Sequence, residues 1–285
     1  MRPPVRDPII VTLTTDFGWR DSYVAQMKAA ILAVTRRVHL VDVTHDIDRH
    51  DITEGALAVE AAAGVFPDGT VHVAVVDPGV GTSRRGIAVT ARGHVFVGPD
   101  NGLFTPILEM PGWEAFELTA AKFRRPHVSR TFHGRDVFAP AAAHIAAGVV
   151  PARFGPRVLD PVRLPWPEVR EVAGTVAGAV VLIDRFGNLV TSIHVGAIAA
   201  LGADATIRVG GSRVPLVGTY ADLLPGRAGA MIGSGDRLEI AVREGSAAAH
   251  LRATRGTPVL VSRSAPLSRT STRRRASTRR PASRS

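Results

Sequence analysis

Three short runs rich in β-branched residues, Ile9 to Thr15 (IIVTLTT), Val38 to Val43 and Val71 to Val76 (VHVAVV), constrain this chain more than anything else in it. Each run ends in a polar loop, and each interval between runs has helical spacing. In the first interval Val24, Met27, Ile31 and Val34 recur three, four and three residues apart, with Asp21 or Ser22 placed to cap the start. In the second, Ile52, Ala56, Val59 and Ala63 mark another helix, closed by Gly64 and the Pro67-Asp68-Gly69 turn. Strand, helix, strand, helix, strand with apolar rather than alternating strands is the pattern of a parallel sheet covered on both faces. Gly86 to Thr90 and His94 to Val97, joined across Ala91-Arg92-Gly93, predict an antiparallel hairpin added to that sheet. Alanine-rich Val137 to Val149 predicts one more packed helix.

Five prolines fall between Pro151 and Pro167, which predicts a linker over about residues 151–172. Beyond it the pattern changes to short strands and Gly-rich turns: Val176 to Asp184, Leu189 to Ile193, Ala205 to Val209, Val214 to Val217 and Arg237 to Val242. The fold class is therefore α/β: a mainly parallel amino-terminal domain over residues 1–165, then a smaller, mostly antiparallel domain over 173–257. Residues 258–285 are expected to be a disordered Arg/Ser-rich tail.

The formal charge of +10 invites a nucleic-acid reading, but eight arginines and no acid lie between Ser262 and Ser285, leaving about +2 on the rest of the chain. The tail can touch a polyanion weakly; it lacks the aromatic residues on which bases stack. With no cysteine there is no disulfide framework, thiolate metal site or cysteine nucleophile. No apolar run approaches the roughly 20 residues of a membrane span, and the first residues lack a signal-peptide core. A cytoplasmic location is the resulting expectation.

Ligands of open α/β sheets bind beyond the carboxyl ends of the parallel strands. Here those ends deliver Asp16, then Thr44-His45-Asp46, then Asp77 with a Gly-rich turn and Arg84-Arg85. Familiar phosphate cradles are excluded. Gly79-Val80-Gly81-Thr82-Ser83-Arg84 lacks the last glycine of the dinucleotide fingerprint and the Gly-Lys-Ser/Thr of a P-loop. Asp16-Phe17-Gly18 precedes the HGRD near residue 133, the wrong order for a kinase. Taken singly, each candidate has a plain alternative: Asp16 as a helix-entry cap or a diol acceptor, Asp77 and Arg84 as a turn-stabilising ion pair or a reactive pair, His133 as a structural or catalytic histidine. The cluster His45, Asp46, Asp48, His50 and Asp51 can be read as a divalent-metal site or as acidic helix-start residues beside exposed histidines.

Seven segments in order, LTTDFGWRDSYVAQMKAAI, VDVTHDI, VVDPGVGTSRR, VGPDNGLF, TFHGRDVFAPAAAHIA, IDRFGNLVT and GDRLEIAVREGSAAA, resemble the S-adenosyl-L-methionine hydroxide adenosyltransferases, relatives of the fluorinating and chlorinating adenosyl enzymes. The resemblance covers roughly residues 8–255. It implies a carboxyl-terminal β-barrel-like domain and a homotrimer, with each active site between one subunit's first domain and its neighbour's second. It also implies cleavage of S-adenosylmethionine by water at the ribose 5′ carbon, giving adenosine and L-methionine with neither metal nor cofactor. Asp77, Arg84 and His133 then match the family's catalytic triad, and Asp16 the residue holding the ribose diol. Asp184 and Asn188 match residues at the methionine end, Phe186 lies beside the adenine site, and Ser234 and Val242 complete the implied substrate-binding set. His50 stands where the fluorinating relatives have a tryptophan, and the tail after about Thr257 has no counterpart.

A sulfonium departs as a neutral thioether, so the difficulty lies with the nucleophile. A permanently charged guanidinium beside a water favours hydroxide character in it. Either Asp77 or His133 can orient that water or take its proton. Phe132-His133-Gly134, where the halide enzymes build a tight halide pocket, argues by resemblance for water. The alternatives are a halide-using transferase, a non-catalytic S-adenosylmethionine-binding protein with a polyanion-binding tail, and a metal-dependent hydrolase built on His45 to Asp51.

Overall fold

The computed structural model describes residues 7–201 and 205–263. Strand β1 (Ile9–Thr15) lies between β2 (Val38–Thr44) and β3 (Val71–Val75), both parallel to it, and β5 (His94–Pro99) extends the parallel set beside β3. The predicted hairpin is present as β4 (Gly86–Ala91) against β5, and two further antiparallel strands, β6 (Glu114–Glu117) and β7 (Arg157–Val158), complete the order β2-β1-β3-β5-β4-β6-β7. The last two were missed because four and two residues are too few to show a period.

Helices cover both faces. α1 (Tyr23–Val34) and α4 (Ala139–Ala146) pack with Val11, Leu13 and Val73 in one core, while α2 (Ile52–Val65) and the single turn α3 (Thr105–Leu108) enclose Val76, Phe96 and Leu103 on the other. Ser22 occupies the cap position of α1, yet its hydroxyl takes Gln26 Nε2 instead of a backbone N–H. α2 is capped as such helices usually are: Asp51 accepts from the Glu54 N–H. The helix predicted over Val137 to Val149 is shorter. A π-helical turn occupies Gly134–Phe138, α4 starts beside Pro140, and Gly148 at φ +100° ends the run.

The second domain is an eight-stranded antiparallel, nearly closed barrel. Its order is β12 (Ser212–Val214), β11 (Thr206–Val209), β15 (Pro258–Ser262), β9 (Thr175–Ile183), β10 (Leu189–His194), β14 (Arg237–Val242), β13 (Ala228–Ile232), with β8 (Arg170–Val172) beside β9. Three expectations are corrected here. β12 ends before Pro215, which has no N–H for a ladder, so Val214 to Val217 is not a strand. β15 pairs with both β9 and β11, so residues 258–262 belong to the barrel and not to a tail. The domain also begins at Arg170, ahead of residue 173. The disorder expected further on falls on residues 264–285, outside the described residues. Among the described residues no helix is long and apolar enough to cross a membrane.

Candidate active site

Every parallel strand of the first sheet points its carboxyl end at one edge, and a cavity of about 600 Å³ opens there. Asp16 from the end of β1, Asp77 from the end of β3 and His133 from the turn before α4 all line it, with Phe17, Tyr23 and Phe132 forming an edge-to-face aromatic wall at 5.2–5.9 Å. Sequence reasoning found the first three. It passed over Gln26, on a face of α1, and Arg49, Ser129, Thr131 and Arg135, whose only signal was adjacency to residues already chosen.

Asp77 and Arg84 form the centre of the site. Arg84 Nε donates to both carboxylate oxygens of Asp77 at 2.9 and 3.1 Å, Nη2 adds a further bond to Oδ2, and both side chains are largely buried. The same Nη2 lies 2.9 Å from His133 Nδ1. Phe138 lies 5.1 Å from the guanidinium, a cation–π contact. The eight-residue loop closes tightly because Gly81, at φ +80°, leaves no room for a Cβ: one would sit 2.4 Å from the Arg130 carbonyl oxygen.

The His133 pKa is lowered from the ordinary imidazole value, first by burial and then by repulsion from Arg84, against a weaker opposing pull from Asp77. Its neutral ring accepts at Nδ1 from a group that can only donate, so the proton resides on Nε2. The loop bearing it is anchored by Asp136, fully buried, which accepts from Arg135 Nε at 2.7 Å and from the Ser129 N–H at 2.8 Å. Asp16 accepts from the His50 N–H at 2.9 Å through Oδ2, and His50 reaches that position with φ at 64°.

The five second-domain candidates are elsewhere. Asp184 and Asn188 close a turn on each other: Asp184 Oδ1 accepts from the Phe186 and Asn188 N–H groups at 2.8 Å, and Oδ2 from Asn188 Nδ2 at 2.9 Å. Phe186, on the tip of that turn, is 79% exposed. Asp184 and Ser234 line a separate cleft between α2 and the barrel, and Val242 packs in the barrel core. Within one chain, therefore, none of these five meets Asp77, Arg84 or His133.

Among the described residues no histidine of 45–51 joins the acids of that segment in a common cluster. His45 is buried between Thr15 Oγ1 and Asp42 Oδ1, Asp51 caps α2 and pairs with Arg255, and His50 belongs to the cavity. Among the described residues Asp48, Asp51 and Glu54 do bring carboxylate oxygens within 4.8 Å of one another, at the start of α2.

Residues 11–155 match the model of the SAM hydroxide adenosyltransferase N-terminal domain, and residues 178–260 that of the SAM hydroxide adenosyltransferase C-terminal domain. The chain belongs to the SAM hydroxide adenosyltransferase family. A relative named (R)-S-adenosyl-L-methionine hydrolase from Thermus thermophilus is 37% identical over 273 residues, covering 87% of this chain and 98% of its own. One of the same name from Salinispora tropica is 37% identical over 257 residues, covering 88% and 97%. A fluorinase from Actinoplanes sp. is 32% identical over 254 residues, covering 77% of this chain and 85% of its own. Among solved structures, an uncharacterized conserved protein from Thermotoga maritima superimposes with a TM-score of 0.82 at 32% identity, covering 90% of this chain and all of its own. The SAM hydroxide adenosyltransferase assignment thus spans both domains, and the sequence segments that suggested it fall within the matched ranges.

Proposed function

We propose that this enzyme hydrolyses S-adenosyl-L-methionine to adenosine and L-methionine. The observation that carries the reading is the half-buried Asp77–Arg84–His133 array, of which Asp77 and His133 line a cavity that also holds Asp16. A water oxygen forms a bond to the ribose 5′ carbon while the bond from that carbon to sulfur breaks. The bonding pair goes to sulfur, which leaves as the neutral thioether of methionine, and one proton is released.

Arg84 supplies the fixed positive field that favours hydroxide character in the attacking water. Neutral His133, carrying its proton on Nε2, donates to the oxygen and sets its direction; its other nitrogen is taken by Arg84 and is not free to act as base. The proton acceptor within the array is then the Asp77 carboxylate. Asp16, with Oδ1 unpaired among the described residues, accepts the ribose hydroxyls. Because the leaving group is already neutral, the step requires no Lewis acid and no cofactor.

The substrate-binding roles of Asp184, Phe186, Asn188, Ser234 and Val242 are retained in this proposal through a homotrimer, in which one subunit's barrel faces its neighbour's cavity. The exposure of Phe186 and the separation of the two residue sets within a chain support that arrangement. A cytoplasmic location fits a chain with no cysteine.

Purified enzyme with S-adenosylmethionine, assayed by chromatography of the nucleoside product, tests the reading. Adenosine, formed with or without chelator and with or without chloride, is expected; 5′-chloroadenosine or chelator-sensitive turnover counts against it. Co-assembly of Arg84→Ala and Asp184→Ala subunits tests the shared site. Partial recovery of activity is expected from mixed trimers, and no recovery argues for sites built within single chains.

A further inference from the structure

The segment VGPDNGLF stood out in the sequence, and the reaction as described uses none of it. It runs from β5 into α3, and its two polar residues reach both ends of the loop that carries Asp77 and Arg84. Asn101 Nδ2 donates at 2.8 Å to the carbonyl of Val76, the residue immediately before Asp77. Asn101 Oδ1 accepts from the Leu103 N–H at 3.2 Å, which fixes the side chain's orientation. At the other end, the Asp100 N–H donates at 2.9 Å to the carbonyl of Arg85, the residue immediately after Arg84. That carbonyl also receives Arg84 Nη1 at 3.3 Å. The buried Asp100 carboxylate accepts from Arg85 Nε at 2.8 Å and from the Val162 N–H at 2.8 Å.

We infer that Asp100 and Asn101 are positioning residues for the catalytic array, a two-residue clasp that fixes the distance between the strand delivering Asp77 and the carbonyl on which the Arg84 guanidinium rests. A loop of eight residues between two anchored ends retains little freedom, whereas release of either end lets the guanidinium move relative to His133. Displacements of about 1 Å suffice to cost two orders of magnitude in rate when reacting groups must align. The same clasp joins the loop to the linker, since Arg85 also reaches Asp160 and the Asp100 carboxylate holds Val162. The inference rests on the proposed function for its kinetic consequence, but not for its effect on His133.

Three variants of the full chain test it. Asn101→Leu removes both side-chain bonds at similar volume, and Asp100→Asn weakens the bond to Arg85 while keeping the shape. Thr105→Val serves as control: it breaks the bond from the Leu164 N–H to Thr105 Oγ1 and the bond from that hydroxyl to the Gly102 carbonyl, in the same neighbourhood but touching neither Val76 nor Arg85. Steady-state turnover of S-adenosylmethionine and NMR titration of His133 are measured for each. Asp100→Asn and Asn101→Leu are expected to lower kcat at least tenfold with KM within threefold, and to move the His133 midpoint upward as the guanidinium leaves it. Thr105→Val is expected to lower the unfolding midpoint while leaving kcat and the titration unchanged. Folded Asp100 and Asn101 variants with wild-type kcat and an unmoved His133 overturn the clasp, as does a kcat loss in all three that only follows the folded fraction. Should Asn101→Leu not fold, Asp100→Asn decides alone. A wild-type enzyme that makes no adenosine sinks the functional reading instead, and the His133 titration still decides the clasp.

Discussion

Arg84 Nη2 lies 2.9 Å from His133 Nδ1 while the same nitrogen and Nε grip Asp77, so a single cation sits between a carboxylate and an imidazole. Arginine cannot give up its proton in this range, which fixes the histidine as the acceptor and its far nitrogen as the donor. The direction of every proton in the array follows from that contact.

Removal of the cation should therefore be the most damaging single change in the site. Arg84→Ala is expected to lower kcat by about 10²–10³-fold, the usual cost of one preorganised electrostatic group. Arg84→Lys should recover little, since one ammonium nitrogen cannot reproduce the planar fork whose separate nitrogens reach Asp77, His133 and the Arg85 carbonyl. Adenosine formation measured at saturating substrate checks both. In Arg84→Ala the His133 midpoint should also rise, because a repelling charge is gone.

Acidification acts on the same contact. Burial and Arg84 hold the His133 midpoint below 6.5, so the ring stays neutral to lower pH than a free histidine. Protonation removes the lone pair that Arg84 needs and adds a second cation beside the substrate's sulfonium. The acid limb of kcat/KM should fall below pH 6.5, and a limb above 6.5 would contradict this assignment.

A second histidine governs stability. His72 is buried, bonded to Thr12 Oγ1 at 2.9 Å and to His94 at 3.2 Å, and stacked on Phe96; burial first, then repulsion by His94, pushes its pKa down to about 4. With the folded value below the unfolded one, the contribution is complete above pH 6.5 and is lost as pH falls toward 4. At about 1.4 kcal/mol per pH unit, roughly 3 kcal/mol is at stake across that window. Urea midpoints at pH 7.5 and 5 should show the drop, and a flat profile would sink the argument.

The two domains are joined by an ion pair whose arginine is buried and whose carboxylate is partly exposed. Arg237 of β14 grips Glu60 of α2 with bonds of 2.9–3.2 Å, donates to the Ser192 carbonyl and lies over Trp166. Arg237→Leu strands the Glu60 carboxylate and should cost about 2–4 kcal/mol. Glu60→Gln, which leaves a neutral acceptor, should cost less. Thermal unfolding of the pair of variants ranks them.

Much of this was legible in the sequence because the first domain is built from long apolar strands whose ends mark a ligand edge. Asp16, Asp77, Arg84 and His133 are up to 117 positions apart, yet topology alone carried three of the loops to one place. Shorter elements were lost: β13, with the sequence AGAMI, offers glycine and alanine where a strand shows branched residues, and β15 abuts a tail of contrary composition. Residues of the Asp184 turn were found only through resemblance, since their side chains satisfy one another and carry no pattern of chemistry. Arg49 and Gln26 enter the cavity through the fold of loops and a helix face, a relation that no spacing rule encodes.

Conversion of S-adenosylmethionine in ¹⁸O-labelled water reads the bond-forming step itself. Attack by water on the 5′ carbon puts the heavy isotope in the 5′-hydroxyl of the adenosine released. Adenosine emerging without it, from fully labelled solvent, would contradict the assignment of water as the nucleophile beside Arg84.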